Sequence, residues 1–344
     1  MSLSRRHLFG AAALASLAGV TSCAKPYTPE VIEGDGGKDA LLENLRIHTP
    51  KTLAFSAPTT GFGTHGLLKS GLVGKVSLDY WVSMESLQSL ITSDATDFVA
   101  VPMNVGANLY NKGVDLKLAA AVVWGMLYVI GPANATKDDL GQLKGKKIGV
   151  PYPNNMPDIV FRYLLKESGL SDKDVEIVSF PTGQELMSTF VKGDLEWALL
   201  PEHAMSVALM KSKKSGREVS RAIDLQQVWA NVTGLPARFP MAGIAVPGRI
   251  AKDTKLMAGL FEELTKSVAQ VNSASDETIA EINKRTGVPA PIIKQVIPRL
   301  QLNAVVGAEA KDDISDLFTR LATLNPKFIG GKVPDADFFL ADPR

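Results

Sequence analysis

Asp97-Phe98-Val99-Ala100-Val101-Pro102 and Glu196-Trp197-Ala198-Leu199-Leu200-Pro201 are two versions of one pattern: an acid, four apolar residues and a proline, 99 residues apart. At that offset, without a gap, Leu87 falls on Leu186, Ser89 on Ser188 and Ile91 on Phe190. Further upstream Val76-Ser77-Leu78 falls on Val175-Glu176-Ile177. Register kept over this length marks one supersecondary unit used twice. Each copy predicts a short apolar strand (51–56; 147–150), a loop, and a helix stopped by Gly71 or Gly169. An alternating strand follows (Val76, Leu78, Tyr80; Val175, Ile177, Ser179), then a second helix and the fully apolar run. Strands without an exposed face, alternating with helices, belong to parallel sheets covered on both sides.

The fold class is therefore α/β, with two similar three-layer lobes of mainly parallel sheet. Strand-like runs at 116–124 and 127–130 join them, and a second crossing is expected near 239–246. Helices at 253–271, 275–285, 289–300 and 310–324 are expected to pack back on the first lobe. Lobe one takes residues 51–131 and 240–344, and lobe two takes 132–239. Two crossings make a hinge, a known device for closure around a ligand.

The amino terminus reads as an address. Arg5 and Arg6 precede an apolar run from Leu8 to Val20, too short to span a bilayer. A basic head, a short apolar middle and small residues after it describe an export signal over residues 1–22, and Ser4-Arg5-Arg6-His7-Leu8 resembles the twin-arginine signature. Cys23 is the only cysteine and closes that run. Val20-Thr21-Ser22-Cys23 resembles a lipobox, which implies a lipidated Cys23 and a membrane anchor. With one cysteine no internal disulfide forms. Residues 24–50, with Pro26, Pro29 and Gly34-Asp35-Gly36-Gly37, read as a tether. The 37 basic and 36 acidic side chains leave a net charge of +1, and nothing in that balance draws the protein to nucleic acid.

Three stretches then carry a family resemblance. They are Leu140-Gly141-Gln142-Leu143-Lys144-Gly145-Lys146-Lys147-Ile148-Gly149-Val150, the run from Gly193 to Glu202, and the return strand at 239–246. In this order, behind a lipoprotein signal, they resemble the type II periplasmic solute-binding proteins. The branch is the one serving nitrate, sulfonate, taurine and thiamine-precursor importers. The resemblance covers roughly residues 51–324. It implies an extracytoplasmic, monomeric protein that binds a small-molecule solute, works with an ABC permease and ATPase, and carries no cofactor. Some enzymes of cofactor synthesis share this two-lobed fold, so an exported enzyme acting on a small metabolite is the alternative.

In open α/β sheets ligands lie outside the carboxyl ends of the strands. That brings five segments to the cleft: 58–65, 102–104 and Trp124 from the first lobe, and 152–157 and 201–203 from the second. The candidate contacts are Thr59, Thr60, Phe62, Thr64, Asn104, Trp124, Tyr152, Asn155, Glu202 and His203. Each also has an ordinary structural use. Threonines and asparagines cap helices, an acid suits a helix start, aromatics pack, and histidines are more often satisfied structurally than ligating. These segments are poor in Lys and Arg, and Asp158 stands at a helix start. That favours an uncharged or weakly polar organic ligand, with an oxyanion held by N–H and hydroxyl donors left open.

One motif points elsewhere. Gly61-Phe62-Gly63-Thr64-His65-Gly66 is a G-x-G-x-x-G, the dinucleotide fingerprint, and an acid follows at Asp79 or Glu85. Three facts weigh against that reading. Residues 57–60 separate the first glycine from the strand, the equivalent loop 151–157 has no glycine, and an exported chain meets little NAD. No H-E-x-x-H, G-x-S-x-G or Walker pattern is present. The glycines are expected to bring backbone close to whatever the loop holds.

Overall fold

The structure, a computed structural model, describes residues 30–34, 39–50, 52–62, 65–171 and 173–344. The export signal, Cys23 and Thr64 lie outside them. The first part of the chain forms β1 (Glu30–Glu33), β2 (Leu42–Pro50), α1 (Leu53–Ser56), β3 (Val73–Trp81), α2 (Met84–Thr92), β4 (Phe98–Pro102), α3 (Met103–Asn111) and β5 (Leu116–Val123). The middle forms β6 (Leu127–Pro132), β7 (Lys147–Pro151), α4 (Met156–Glu167), β8 (Glu176–Phe180), α5 (Gly183–Lys192), β9 (Trp197–Pro201), α6 (Glu202–Lys214), β10 (Val219–Asp224) and α7 (Leu225–Thr233). The remainder forms β11 (Ala242–Pro247), α8 (Gly248–Ala251), α9 (Thr254–Ser273), α10 (Asp276–Thr286), α11 (Ala290–Val296), β12 (Leu302–Val306) and α12 (Lys311–Ala322).

Two sheets result, ordered β1-β3-β2-β4-β11-β5-β12 and β10-β6-β9-β7-β8. The run β3-β2-β4-β11-β5 has the same plan as β8-β7-β9-β6-β10. In each, three parallel strands are extended by an antiparallel strand that arrives from the other lobe. The sheets are therefore mixed and not mainly parallel, because each crossing strand enters against the direction of its neighbour. The repeat persists in backbone detail. Ser83 and Thr182, 99 apart, both cap a helix by accepting the amide of the residue three further on. Asp94 and Gly193, also 99 apart, both sit in the left-handed region after that helix. β4 and β9 are buried on both faces, as their continuous apolar sequences require.

Expectations about the path of the chain also change. The first strand is Leu42–Pro50 and not 51–56: Leu45, Ile47 and Thr49 alternate inward. Pro50 ends the strand and the chain coils into α1. The tether expected over 23–50 is accordingly too long. Residues 30–33 already form a strand on β3, held by an Arg285 guanidinium that donates to Glu30 (2.9 Å) and to the Thr59 carbonyl (2.8 Å). The helix expected before Gly71 is a series of turns over 65–71. Finally β6 belongs to the second sheet, so the first crossing is 124–126 and falls before Gly131-Pro132. The second crossing is 234–241, where the chain leaves α7 and enters β11.

The late helices do not all return to the first lobe. α11 packs on α6 and α12 on α4, both helices of the second lobe. One apolar core accordingly runs from Leu45 and Ile47 through Val123 and Trp124 to Ile148 and Phe161. A further cluster covers the other face of each sheet, around Leu87 and Val101 in the first and Phe190 and Met205 in the second.

Candidate functional site

The two copies of the repeat place equivalent helix starts, those of α3 and α6, against the segments that cross between the lobes. Each helix follows a strand-ending proline, Pro102 or Pro201, whose side chain offers no cap. The first amide of each donates instead to backbone of a crossing segment: Met103 to the Met241 carbonyl (3.1 Å) and Glu202 to the Met126 carbonyl (2.8 Å). One residue further in stand Asn104 and His203, equivalent in the repeat. Asn104 is buried, and its Nδ2 donates a long hydrogen bond of 3.5 Å to the Asn154 carbonyl of the opposite lobe. Its Oδ1 has no partner. His203 is half-buried, yet its Nδ1 is sealed from solvent and also lacks a partner. Burial pulls its pKa down to about 4, so the ring is neutral near pH 7. A buried polar atom without a partner costs stability, and two at equivalent places ask for a reason.

Facing Asn104 is the loop between β7 and α4. Tyr152 (φ 57°) and Asn154 (φ 62°) both take the left-handed conformation, uncommon for residues with a side chain. The Tyr152 amide donates to the Phe180 carbonyl (2.9 Å). The Asn154 amide donates to the Asp158 carboxylate (2.8 Å), which also receives Arg162 Nε (2.7 Å). Asp158 is thus a loop brace and not a free charge. Asn155 stands at the N-cap of α4 without capping it; its Nδ2 reaches only the Pro153 carbonyl at 3.4 Å. Tyr152 and Asn155 are half-buried.

Five candidates are occupied elsewhere. The Thr59 and Thr60 hydroxyls donate to the Ser56 carbonyl (3.1 and 3.0 Å). Phe62 is fully buried against Phe98, ring centroids 5.2 Å apart. Trp124 is buried in the hinge, with its indole donating to the Asn303 carbonyl (2.9 Å) and Arg238 lying over its ring (4.9 Å). Glu202 is fully buried. It accepts from Arg221 Nε (2.9 Å) and Nη2 and from the Ser206 hydroxyl (2.7 Å). Thr64 lies outside the described residues. The candidates not engaged elsewhere are Asn104, Tyr152, Asn155 and His203, and of these Asn104 meets the opposite lobe directly, at the Asn154 carbonyl.

The loop at 61–67 does cradle an anion, and that anion belongs to the chain. Glu263, buried on α9, accepts the amides of His65 (3.0 Å) and Leu67 (3.1 Å) on its two carboxylate oxygens. A Cβ at Gly61 would stand 2.4 Å from Gln270 Oε1 and 2.9 Å from His65 Nε2, so both side-chain ends pack closely on this glycine. The place a phosphate would take is filled by a side chain. Among the described residues no cluster of His, Cys, Asp or Glu could hold a metal ion, and no helix is long and apolar enough to cross a membrane.

The model of the NMT1-like family matches residues 78–269, more than half of the chain, from β3 of the first copy of the repeat through the whole of the second. The chain belongs to the NMT1-like family. No curated protein matches it. Solved structures give the NMT1-like chain the fold of the periplasmic binding proteins. It is similar to an ABC transporter protein from Parabacteroides distasonis, with 24% identity, a TM-score of 0.71, and coverage of 87% of this chain and 98% of that one. It is also similar to the periplasmic aliphatic sulphonate binding protein SsuA from Escherichia coli (18%, TM-score 0.66, coverage 85% and 92%). A putative periplasmic sulfonate-binding protein from Methylobacillus flagellatus is a third (18%, TM-score 0.61, coverage 87% and 91%).

Several residues of this NMT1-like chain matter in ways its sequence alone did not single out. Asn154, and not its neighbour Asn155, supplies the carbonyl that Asn104 meets. Glu263 stands next to the exposed Glu262 in the chain, and the pair of acids does not by itself mark either as buried. The clue was its place on the helix: it shares a face with the buried Leu256, Leu260 and Leu264. Gln226 and Gln301 brace the first crossing, and nothing in their local sequence sets them apart.

Proposed function

We propose that this protein is the solute-binding component of an ABC importer. It is exported, held at the membrane through a lipidated Cys23, and acts as a monomer beside a permease and an ATPase. It captures a small, uncharged or weakly polar organic molecule between its lobes, without turning it over. The observation that carries this reading is the equivalent pair Asn104 and His203, each with a buried, unpartnered polar atom at a helix start. A ligand offering a donor to one and a donor or acceptor to the other would satisfy both. Tyr152 and Asn155 would add a ring face and an amide from the second lobe, and Thr64 a hydroxyl from the first. The charge of the ligand follows from the neighbours. Asp158 is neutralised by Arg162 and Glu202 by Arg221, so neither pair leaves a net charge for an ionic solute.

The test is a melting-temperature screen of the purified protein. Uncharged nitrogen heterocycles such as cytosine and uracil would be compared with taurine, ethanesulfonate and nitrate. A compound at a hundred times its Kd adds about 2.7 kcal/mol of stability. The expected outcome is a rise for the uncharged compounds, lost in Asn104→Ala and in His203→Ala. A rise for the sulfonates alone would overturn the assignment of the ligand. Conversion of the bound compound to a product would replace the binding role with the enzymatic one.

A further inference from the structure

The first crossing is three residues long, and each end is fastened to a different lobe. Trp124 is fixed to the first. Its amide donates to the Gln301 carbonyl (3.2 Å) and its indole to the Asn303 carbonyl (2.9 Å), while its carbonyl accepts the Phe239 amide (2.8 Å). Met126 is fixed to the second. Its amide donates to Gln226 Oε1 (3.2 Å) and its carbonyl accepts the Glu202 amide (2.8 Å). The buried Gln226 side chain also accepts the Leu127 amide and donates to the Leu127 carbonyl, both at 3.1 Å. Gly125 lies between the two anchors. A Cβ there would stand 2.9 Å from Gln226 on one side and 2.9 Å from Gln301 on the other. Rotation of one lobe against the other along this crossing is therefore confined to the torsions of Gly125 and Met126.

Met126 has φ 147°, a conformation that favours glycine and that a side chain resists. It is held there while the lobes touch through Asn104 and Asn154, and through the Tyr128 hydroxyl donating to the Arg299 carbonyl (3.3 Å). We propose that Gly125-Met126 is a loaded hinge: the closed arrangement stores backbone strain at Met126, and opening releases it. The hinge sets how much of the unliganded protein stands open to receive a ligand, whatever that ligand is. The second crossing is less constrained. Between Gly234 and the anchored Phe239 it is tied by the Leu235 amide to the Thr233 hydroxyl (3.2 Å), the Arg238 amide to the Pro236 carbonyl, Gln301 Nε2 to the Ala237 carbonyl (3.2 Å) and Arg238 to Asp313 (3.7 Å), but it holds no side-chain-bearing residue at positive φ. It can follow the first.

The test uses the full chain with Cys23→Ser and one spin label on each lobe, at Lys112→Cys and Lys192→Cys, both exposed. Interlabel distances are measured by electron resonance without ligand. Met126→Gly removes the strain and is expected to raise the closed-to-open ratio at least about five-fold. Met126→Val, β-branched and less tolerant of that torsion, is expected to lower it. Pro236→Gly in the second crossing is expected to leave it within about two-fold, well short of the effect of strain. Opposite shifts from the two Met126 variants support the hinge. No shift in Met126→Gly, shifts in the same direction, or a larger shift from Pro236→Gly would overturn it. Melting curves identify any variant that has lost its fold, and Met126→Gly alone still decides the matter if the valine variant does.

Discussion

Asn104 and His203 each keep one polar atom away from both water and any partner, and that has a measurable signature. A polar side chain serving stability lowers it when removed; an unpartnered one does not, because its desolvation is already a cost. His203→Phe is therefore expected to melt at or above the parent temperature at pH 7.5 while losing ligand binding. The same variant has a pH signature. In the unfolded chain the ring titrates near 6.5, in the fold at about 4. Above pH 6.5 both states are neutral there and stability is independent of this group. As pH falls from 6.5 toward 4 the unfolded chain takes up a proton that the folded one refuses, so stability falls. His48 is lowered too, chiefly by burial, so thermal melts across that window should show a shallower slope in His203→Phe but not a flat one. Glu202 is the contrast. With both carboxylate oxygens paired and no exposure, Glu202→Ala leaves Arg221 without its counter-ion inside the lobe. It is expected to cost about 3–5 kcal/mol in urea unfolding.

Among the elements, the turns at residues 65–71 are fastened by one distant side chain. They stand in place of a helix, and Glu263 accepts two of their amides. Glu263→Ala would leave both N–H groups without this acceptor, at about 1–3 kcal/mol for the buried Leu67 amide and less for the half-buried His65. Hydrogen exchange should then accelerate at His65 and Leu67, while β4 and β9 stay protected. Unchanged exchange at those two amides would mean that the loop is held by something else. This loop also marks where sequence reading reached its limit. β4 and β9 were legible because a strand buried on both faces can only be continuously apolar, and a 99-residue offset repeated the statement. α4 and α9 to α12 were legible from their periodicity, with Gly169 closing α4. The loop was not, because its fastening is a contact some 200 residues away in the chain, and its Gly-rich sequence carries a stronger familiar meaning. The same holds for the site. The strand-ending prolines located Asn104 and His203, but only packing could show that the Thr59, Thr60 and Glu202 side chains are already engaged.

For the whole molecule the question is whether two lobes with the same plan behave as two folding units. Their sheets are separate, but their apolar core is not: one cluster passes through Val123 and Trp124 at the crossing and reaches Phe161 and Trp229. The late helices reinforce it from outside. On α12, Arg320 donates to the Tyr163 hydroxyl of α4 (3.3 Å), lies over the Trp229 ring of α7 (5.8 Å) and pairs with Asp316 (2.7 Å). A chain threaded from the first sheet across the second lobe ties the stability of each to the other. Thermal unfolding is therefore expected to be one cooperative transition, with equal calorimetric and van't Hoff enthalpies, despite the hinge. Arg320→Ala should lower stability by about 1–2 kcal/mol, through the lost hydrogen bond and ring contact, and keep the single transition because the core remains continuous. Two resolved transitions in the parent protein would mean that the shared core does not couple the lobes. Two transitions in Arg320→Ala alone would transfer that coupling to α12. Either result would bear on the hinge, because lobes that unfold together also transmit to each other the strain held between them.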